Sequence, residues 1–234
     1  MDRQASEAFE PARDFARSPW PAPWSARGVI QVLEPMVSAA RVSAIRRVLA
    51  QRIPSVTLIL DAPYDPHNGA AVLRSCDAFG VTEMHVVTTH HAFLASKIVA
   101  RGAERWVDVT EHRSAQSAIS NLRARGFELV LTSPEGELVP EDLAHIGRLA
   151  LIVGNEHAGV GDELARSAGR SVRIPMVGFV ESLNLSVSAA ILLRAATRGR
   201  PTDLAPEAWS RYYAQALYRS VKRADAILCA MQPT

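Results

Sequence analysis

Three stretches of this 234-residue chain set polar side chains between apolar runs. The first is DPHNGAAVLRSCDAFGV, Asp65 to Val81, with Asn68 where a helix would begin and Arg74 further along it. Asn68 can be a helix cap and Arg74 a surface arginine. Yet Arg74 stands among Val72, Leu73 and Cys76, on a helix that should pack on a sheet. The second stretch, GNEHAGVGDEL, Gly154 to Leu164, runs an apolar strand straight into Gly-Asn-Glu. Its recurring glycines let backbone groups and the Glu156 carboxylate come close to a ligand, although an ordinary turn with a solvated Glu156 fits as well. The third, IPMVGFVESLNLSVSAAILL, Ile174 to Leu193, places Ser182, Asn184 and Ser186 at the mouth of a very apolar helix. A cap explains one of these three.

Several other chemistries lack their residues. A dinucleotide-binding turn needs G-x-G-x-x-G between the first strand and its helix. Here DAPYDPHNGAAVLR follows the first strand, and Gly69 and Gly80 have the wrong spacing. A nicotinamide-dependent oxidoreductase is disfavoured for that reason, and a G-x-x-x-x-G-K-[ST] phosphate loop is absent too. His90 and His91 adjoin, but no carboxylate or cysteine stands at ligand spacing, so no metal is expected. Cys76 and Cys229 form neither a CxxC pair nor a disulfide framework. The N-terminus has acids and no apolar signal core, and no apolar stretch nears the roughly 20 residues that span a bilayer. A cytoplasmic setting without a membrane partner is expected.

The elements that must position these loops read as follows. VTLILD (Val56 to Asp61), EMHVVT (Glu83 to Thr88), RWVDVTEH, FELVLTS (Phe127 to Ser133), LALIVG (Leu149 to Gly154) and SVRIP (Ser171 to Pro175) predict strands. AAVLRSCDAF, FLASKIVARGA, Ser114 to Arg125, Val160 to Ala168, Leu185 to Arg198 and about Pro206 to Ala230 predict helices. Strands alternating with helices indicate an α/β fold with a parallel sheet. Ligands in such sheets sit at the carboxyl ends of the strands, so the loops after Asp61, Thr132, Val153 and Pro175 are where chemistry is expected. Ahead of this body, residues 1–36 read as a partly disordered arm. Its SPWPAPW stretch has no sustained period, and its two tryptophans could dock on the body or on a partner. Residues 37–200 make the main domain, opened by a basic amphipathic helix from Arg41 to Pro54, and residues 201–234 make a helical extension.

The chain is 48% hydrophobic, which rules out a wholly disordered chain, and its net charge of only +2, taken whole, argues against a strongly basic nucleic-acid binder. All basic residues except Lys97 and Lys222 are arginine. Codon bias accounts for that preference, and so does phosphate recognition, which the guanidinium fork suits. Position discriminates better. Arg41, Arg46, Arg47 and Arg52 give the first helix +4 with no acid between Met36 and Leu60, and the span from Arg194 to Arg223 carries +5, leaving −7 for the rest. Two basic ends on an acidic body are the footprint of terminal helices that hold an RNA backbone.

Together, DPHNxxAxxRxxxAxG, GNExxG and IPMxGxxxSLNxSxxxAxxL, in that order, resemble the three signature motifs of the SpoU family of RNA 2′-O-ribose methyltransferases. The resemblance runs from about Arg41 to Arg200, and RVSAIRRVLAQRIPSVTLIL and RGAERWVDV are similar to its tRNA guanosine-2′-O-methyltransferase branch. It implies a parallel sheet whose C-terminal part is tied in a deep trefoil knot, a homodimer, and bent S-adenosylmethionine held by Thr132, Gly154, Ile174 and Leu183. It implies that Arg74 serves the ribose hydroxyl, that Asn68 and Glu156 shape the site, and that Ser182 and Asn184 position Arg74 or the ribose and phosphate. The substrate would be tRNA, methylated at a D-loop guanosine and gripped by Arg41, Arg46, Arg47, Arg52, Arg194, Arg198, Arg219 and Arg223. Ribosomal RNA or another tRNA nucleoside is the alternative. A non-catalytic RNA-binding protein on the same fold would be expected to lose Arg74, Glu156 or Asn184, and all three are present.

Overall fold

The computed structural model describes residues 18–63, 65–88, 102–155, 158–202 and 204–231. Six strands pair in parallel, in the order β3-β2-β1-β5-β4-β6. They are β1 (Val56–Asp61), β2 (Glu83–Val87), β3 (Asp108–His112), β4 (Glu128–Thr132), β5 (Leu149–Val153) and β6 (Arg170–Val172). β1 lies against both β2 and β5, with Leu60 beside Val86 on one side and Val153 on the other. This central strand has no polar face to show, because both faces of the sheet are covered. Val56, Leu58 and Leu60 pack towards α3 (Pro66–Ala78) and α6 (Leu185–Thr197). Ile59 packs on the other side with α4 (Ala115–Ala124) and α5 (Asp162–Ser167).

Helix ends follow local chemistry. Ser114 caps α4 through its hydroxyl. Asp65, not Asn68, caps α3, its Oδ1 accepting from the His67 amide at 2.8 Å. Gly80, at φ +81°, makes the turn out of α3, and a side chain there would strike the Gln51 carbonyl oxygen at 2.5 Å. Downstream of α6, the Arg200 guanidinium gathers the carbonyls of Leu143, Ile146 and Gly147, fixing the 3₁₀ turn Pro140–His145 that packs on that helix.

Helices from residues 26–49 and 206–230 fold together into a second core. It contains α1 (Ala26–Leu33), α2 (Ala39–Leu49), α7 (Pro206–Ser220) and α8 (Ala224–Ala230). Residues 18–36 are therefore not the loose arm expected of them. Trp20 and Trp24 are buried, the Trp20 indole donating to the Trp24 carbonyl at 2.8 Å and the Trp24 indole to the Leu228 carbonyl at 3.2 Å. Each indole buries on the order of 200 Å², so two anchors can dock a Pro-rich stretch that has no helical period. The expected last helix is also two helices: Arg223 takes a left-handed conformation, φ 59°, and α8 turns back towards α1. No glycine or proline marks that break, but it brings Leu228 onto Trp24.

Two further expectations meet the structure differently. Arg52 is only 4% exposed. Its guanidinium pairs with Asp77 at 2.6 Å and reaches the Asp77 and Val81 carbonyls. It lies beyond the end of α2, where the chain has already turned inward, so it holds α3 in place and is withdrawn from the RNA-facing set. The helix expected from FLASKIVARGA lies largely outside the described residues, its last alanine opening the short 3₁₀ turn Ala103–Arg105. Among the described residues, no helix is long and apolar enough to cross a membrane.

Candidate active site

At the carboxyl edge of β4, β5 and β6, a cavity of about 410 Å³ opens between the loops that leave the sheet. Thr132 is the last residue of β4, Gly154 the first after β5, Ile174 lies just beyond β6, and Leu183 precedes α6; all four line it. Its apolar wall is Val153, Val160, Val172, Leu185 and Leu192, and its polar rim includes Ser133, Asn155, Ser182, Asn184 and Ser188. The volume lies in the range of small-molecule sites, and a mostly apolar wall with a few polar groups suits a nucleoside cofactor. Much of the lining is backbone. A Cβ on Gly154 would stand 2.4 Å from the Gly159 carbonyl carbon, and one on Gly136 would stand 2.3 Å from that of Val172. Chain segments pass each other closely here, and glycine permits the approach.

The loop after β5 is tied to the end of β1. Asn155 donates through Nδ2 to the Ala62 carbonyl at 2.8 Å and accepts through Oδ1 from the Ala158 amide at 3.0 Å. Asp61 accepts from the Gly161 amide at 2.7 Å. Burial raises the Asp61 carboxyl, and that amide offsets part of the rise. Neither Asn155 nor Asp61 was among the residues singled out by motif reasoning. The signal for Asn155 was present in the Gly-Asn-Glu turn; the partner of Asp61 lies 100 residues away and left none.

Asn184 caps α6, its Oδ1 accepting from the Ser186 amide at 2.8 Å and the Ser186 hydroxyl at 2.7 Å. Its Nδ2 then donates to Asn68 Oδ1 at 3.1 Å. Asp65 takes the cap of α3, the Asn68 side chain meets Asn184, and two motifs distant in sequence join at the cavity rim. Arg74 does not join them within one chain. It lies six residues along α3, a rise of about 9 Å from Asn68 at 1.5 Å per residue, and turned by about 120°. It is exposed, and no hydrogen bond or ion pair with a described residue engages it. Glu156 lies outside the described residues.

Most of the arginines expected to meet RNA lie on the terminal helices, and two lie at the end of α6. Arg41, Arg46 and Arg47 are exposed on α2, Arg223 stands before α8, and Arg194 and Arg198 are exposed at the end of α6. Arg219 is half-buried on α7. Arg46 bridges α2 to Glu34 at 2.7 Å and to the Tyr213 hydroxyl at 3.3 Å. Arg41 reaches Ser220 at 3.3 Å. The two basic ends of the chain are thus packed side by side.

Fold and site together define an α/β enzyme class that holds a nucleoside cofactor at the end of a parallel sheet. Comparison with known proteins is specific. Residues 55–194 match the SpoU rRNA Methylase family. The chain is 35% identical to a tRNA (guanosine(18)-2′-O)-methyltransferase of Thermus thermophilus over 69% of its own length and 84% of that protein's. It is 31% identical to the Escherichia coli protein of the same name, over 70% and 72% of the two lengths. Among solved structures, an Aquifex aeolicus TrmH/SpoU tRNA modifying enzyme superposes with a TM-score of 0.70 at 27% identity, covering 79% of this chain and 98% of that one. The SpoU methyltransferase AviRb of Streptomyces viridochromogenes, solved with AdoMet, gives 0.56 at 25% identity, covering 64% of this chain and 60% of the other. The chain belongs to the SpoU methylase family, whose cofactor is S-adenosylmethionine.

Proposed function

We propose that this protein is an S-adenosylmethionine-dependent tRNA 2′-O-ribose methyltransferase acting on guanosine 18 of the D-loop, the nucleoside named for its relatives. One observation carries the reading. All four residues expected to hold the cofactor line a single cavity, and the Asn68–Asn184 contact stands at its rim. S-adenosylmethionine supplies a methyl group already activated on a sulfonium, so the protein's task is orientation and the handling of one proton. Val153, Ile174, Leu185 and Leu192 would enclose the apolar part of the cofactor, with Thr132 and the Gly154 backbone fixing its polar edge. Asn68 and Asn184 orient the ribose, and Ser182 contributes a hydroxyl from the same rim. Glu156 shapes the site from the loop after β5. Arg74 binds the substrate phosphate and stabilises charge developing on the 2′-oxygen. A guanidinium offers donors and no acceptor, so phosphate or water accepts the ribose proton.

The enzyme acts as a homodimer in the cytoplasm, with its knotted loops enclosing the cofactor. Val187 and Ile191 on α6, and Val177 and Phe179 in the loop before it, are exposed apolar residues beside the site, which supports a second copy covering them. Arg41, Arg46, Arg47, Arg194, Arg198, Arg219 and Arg223 hold the tRNA backbone. Ribosomal RNA is the second reading, favoured by 32% identity to a 23S rRNA (guanosine-2′-O-)-methyltransferase of Coxiella burnetii. Labelled S-adenosylmethionine with unmodified tRNA and rRNA transcripts, followed by mapping of the methylated ribose, separates them. Label at guanosine 18 supports the proposal, and label in rRNA alone overturns it.

A further inference from the structure

Trp106 differs from Trp20 and Trp24, the two buried tryptophans of the second core. Trp20 and Trp24 are buried with their indole N–H groups bonded to carbonyls. Trp106 is half-buried, and its indole N–H has no acceptor among the described residues. Two guanidinium groups lie within cation–π range of its ring, Arg41 at 5.9 Å and Arg219 at 5.8 Å from the centroid. Beside it, between α2 and α7, a cavity of about 250 Å³ is walled by Ile45, Val48, Leu49 and Ala216, and Arg41 and Arg105 are exposed members of its lining. That space admits one ring system, not a drug-sized molecule.

The acids near the cleft are largely engaged: Asp77, in its lining, pairs with Arg52 at 2.6 Å, and Asp108 is taken by Arg211 at 2.9 Å and the Tyr212 hydroxyl at 2.9 Å. Burial pushes the Arg219 guanidinium down, Asp108 and Glu104 pull against that, and Arg105 adds repulsion. Arg41 and Arg219 against the Trp106 ring, with Arg105 exposed at the same half-apolar cleft, complement a planar base flanked by anions. Bases and guanidinium groups compete for the same π surface, and a guanidinium displaced by a base is free to take the adjoining phosphate.

We propose that the cleft between α2 and α7 is a nucleotide subsite separate from the methyl-transfer cavity, with Trp106 as the stacking platform for one RNA base and Arg41, Arg105 and Arg219 as ligands of its flanking phosphates. The proposal rests on the tRNA reading above and deepens it, adding a contact that reads an unpaired, stackable base rather than backbone charge alone.

Binding of a tRNA transcript to the full-length protein tests it through Trp106→Leu, Trp106→Phe and Arg105→Gln, with S-adenosylmethionine affinity and thermal unfolding as controls of folding. Stacking predicts a loss of tRNA affinity on the order of tenfold for Trp106→Leu, substantial rescue by Trp106→Phe, and unchanged cofactor affinity in both. Arg105→Gln should lower the slope of log affinity against log salt by about one. A tRNA carrying 4-thiouridine in its unpaired positions should cross-link to the peptide that contains Trp106, a readout independent of any variant's folding. Equal losses for Leu and Phe, wild-type affinity in Trp106→Leu, or cross-links that avoid this peptide would overturn the subsite. If wild-type protein methylates tRNA while these results fail, only the subsite falls. If wild-type protein neither binds nor methylates tRNA, the tRNA reading falls and the subsite with it.

Discussion

At the scale of residues, the site turns on which polar group takes which local duty. Asp65 caps α3, and Asn68 accepts from Asn184, which in turn caps α6. The motifs made Asn68 and Asn184 legible as candidates, but a cap and a substrate ligand look alike in sequence. Only the identity of the neighbouring cap separates them. Arg74 is exposed and unengaged by described residues, as a group awaiting a substrate phosphate should be. Arg74→Lys keeps the charge and loses the bidentate fork. Methyl transfer at saturating substrates should fall by about tenfold to a hundredfold, less than the loss of a whole oxyanion donor. Full activity in that variant would remove the fork from the mechanism.

A second residue-scale consequence concerns acid. His85 Nδ1 and His112 Nε2 are 2.9 Å apart in the interior, and His112 Nδ1 meets the Ser117 hydroxyl at 3.1 Å. One N–H can bridge the facing nitrogens; protons on both would set two donors against each other. Burial, then the facing His85, pushes His112 down to about 4. Glu83, which pairs with Arg125 near His85, is held at about 2: burial raises it, and the His85 and Arg125 interactions outweigh that. Because His112 binds its proton more weakly folded than unfolded, its contribution is complete above about 6.5 and is lost as pH falls towards 4. Urea denaturation should show stability about 2 kcal/mol lower at pH 5 than at pH 7. An unchanged midpoint would contradict this pairing. Glu83 adds its loss only below the ordinary carboxylate range.

At the scale of elements, strands and site loops were readable because a sheet covered on both faces writes continuous apolar runs. VTLILD and LALIV are such runs, and the loops after β4, β5 and β6 line the cavity as their position demands. The terminal elements were harder. Trp20 and Trp24 dock through two indoles and no period, and α7 and α8 part at Arg223 without a breaker residue. Arg52 shows the same limit: its spacing placed it with α2's exposed arginines, but the turn after Leu49 points it inward to Asp77. Arg52→Met leaves the Asp77 carboxylate without its buried partner. The expected cost is about 3 kcal/mol of stability with tRNA affinity per folded molecule retained, since breaking one half of a buried pair is what destabilises. Weakened tRNA binding at unchanged stability would return Arg52 to the interface.

At the scale of the molecule, the net charge of +2 averages a basic helical layer and an acidic body. The structure adds what the sequence could not contain, that α2 and α7, one from each basic end, pack against each other through Arg41 and Arg46. That helix pair and the cofactor cavity are the two halves of the account, and its central claim is that the acceptor is a ribose 2′-hydroxyl presented between them. The most direct test uses two tRNAs identical except that one carries 2′-deoxyguanosine at the D-loop position. Label from S-adenosylmethionine should enter the ribose-containing tRNA and be absent from the deoxy one, while both bind equally. Equal labelling of the two would show that the methyl group goes elsewhere and would contradict the account.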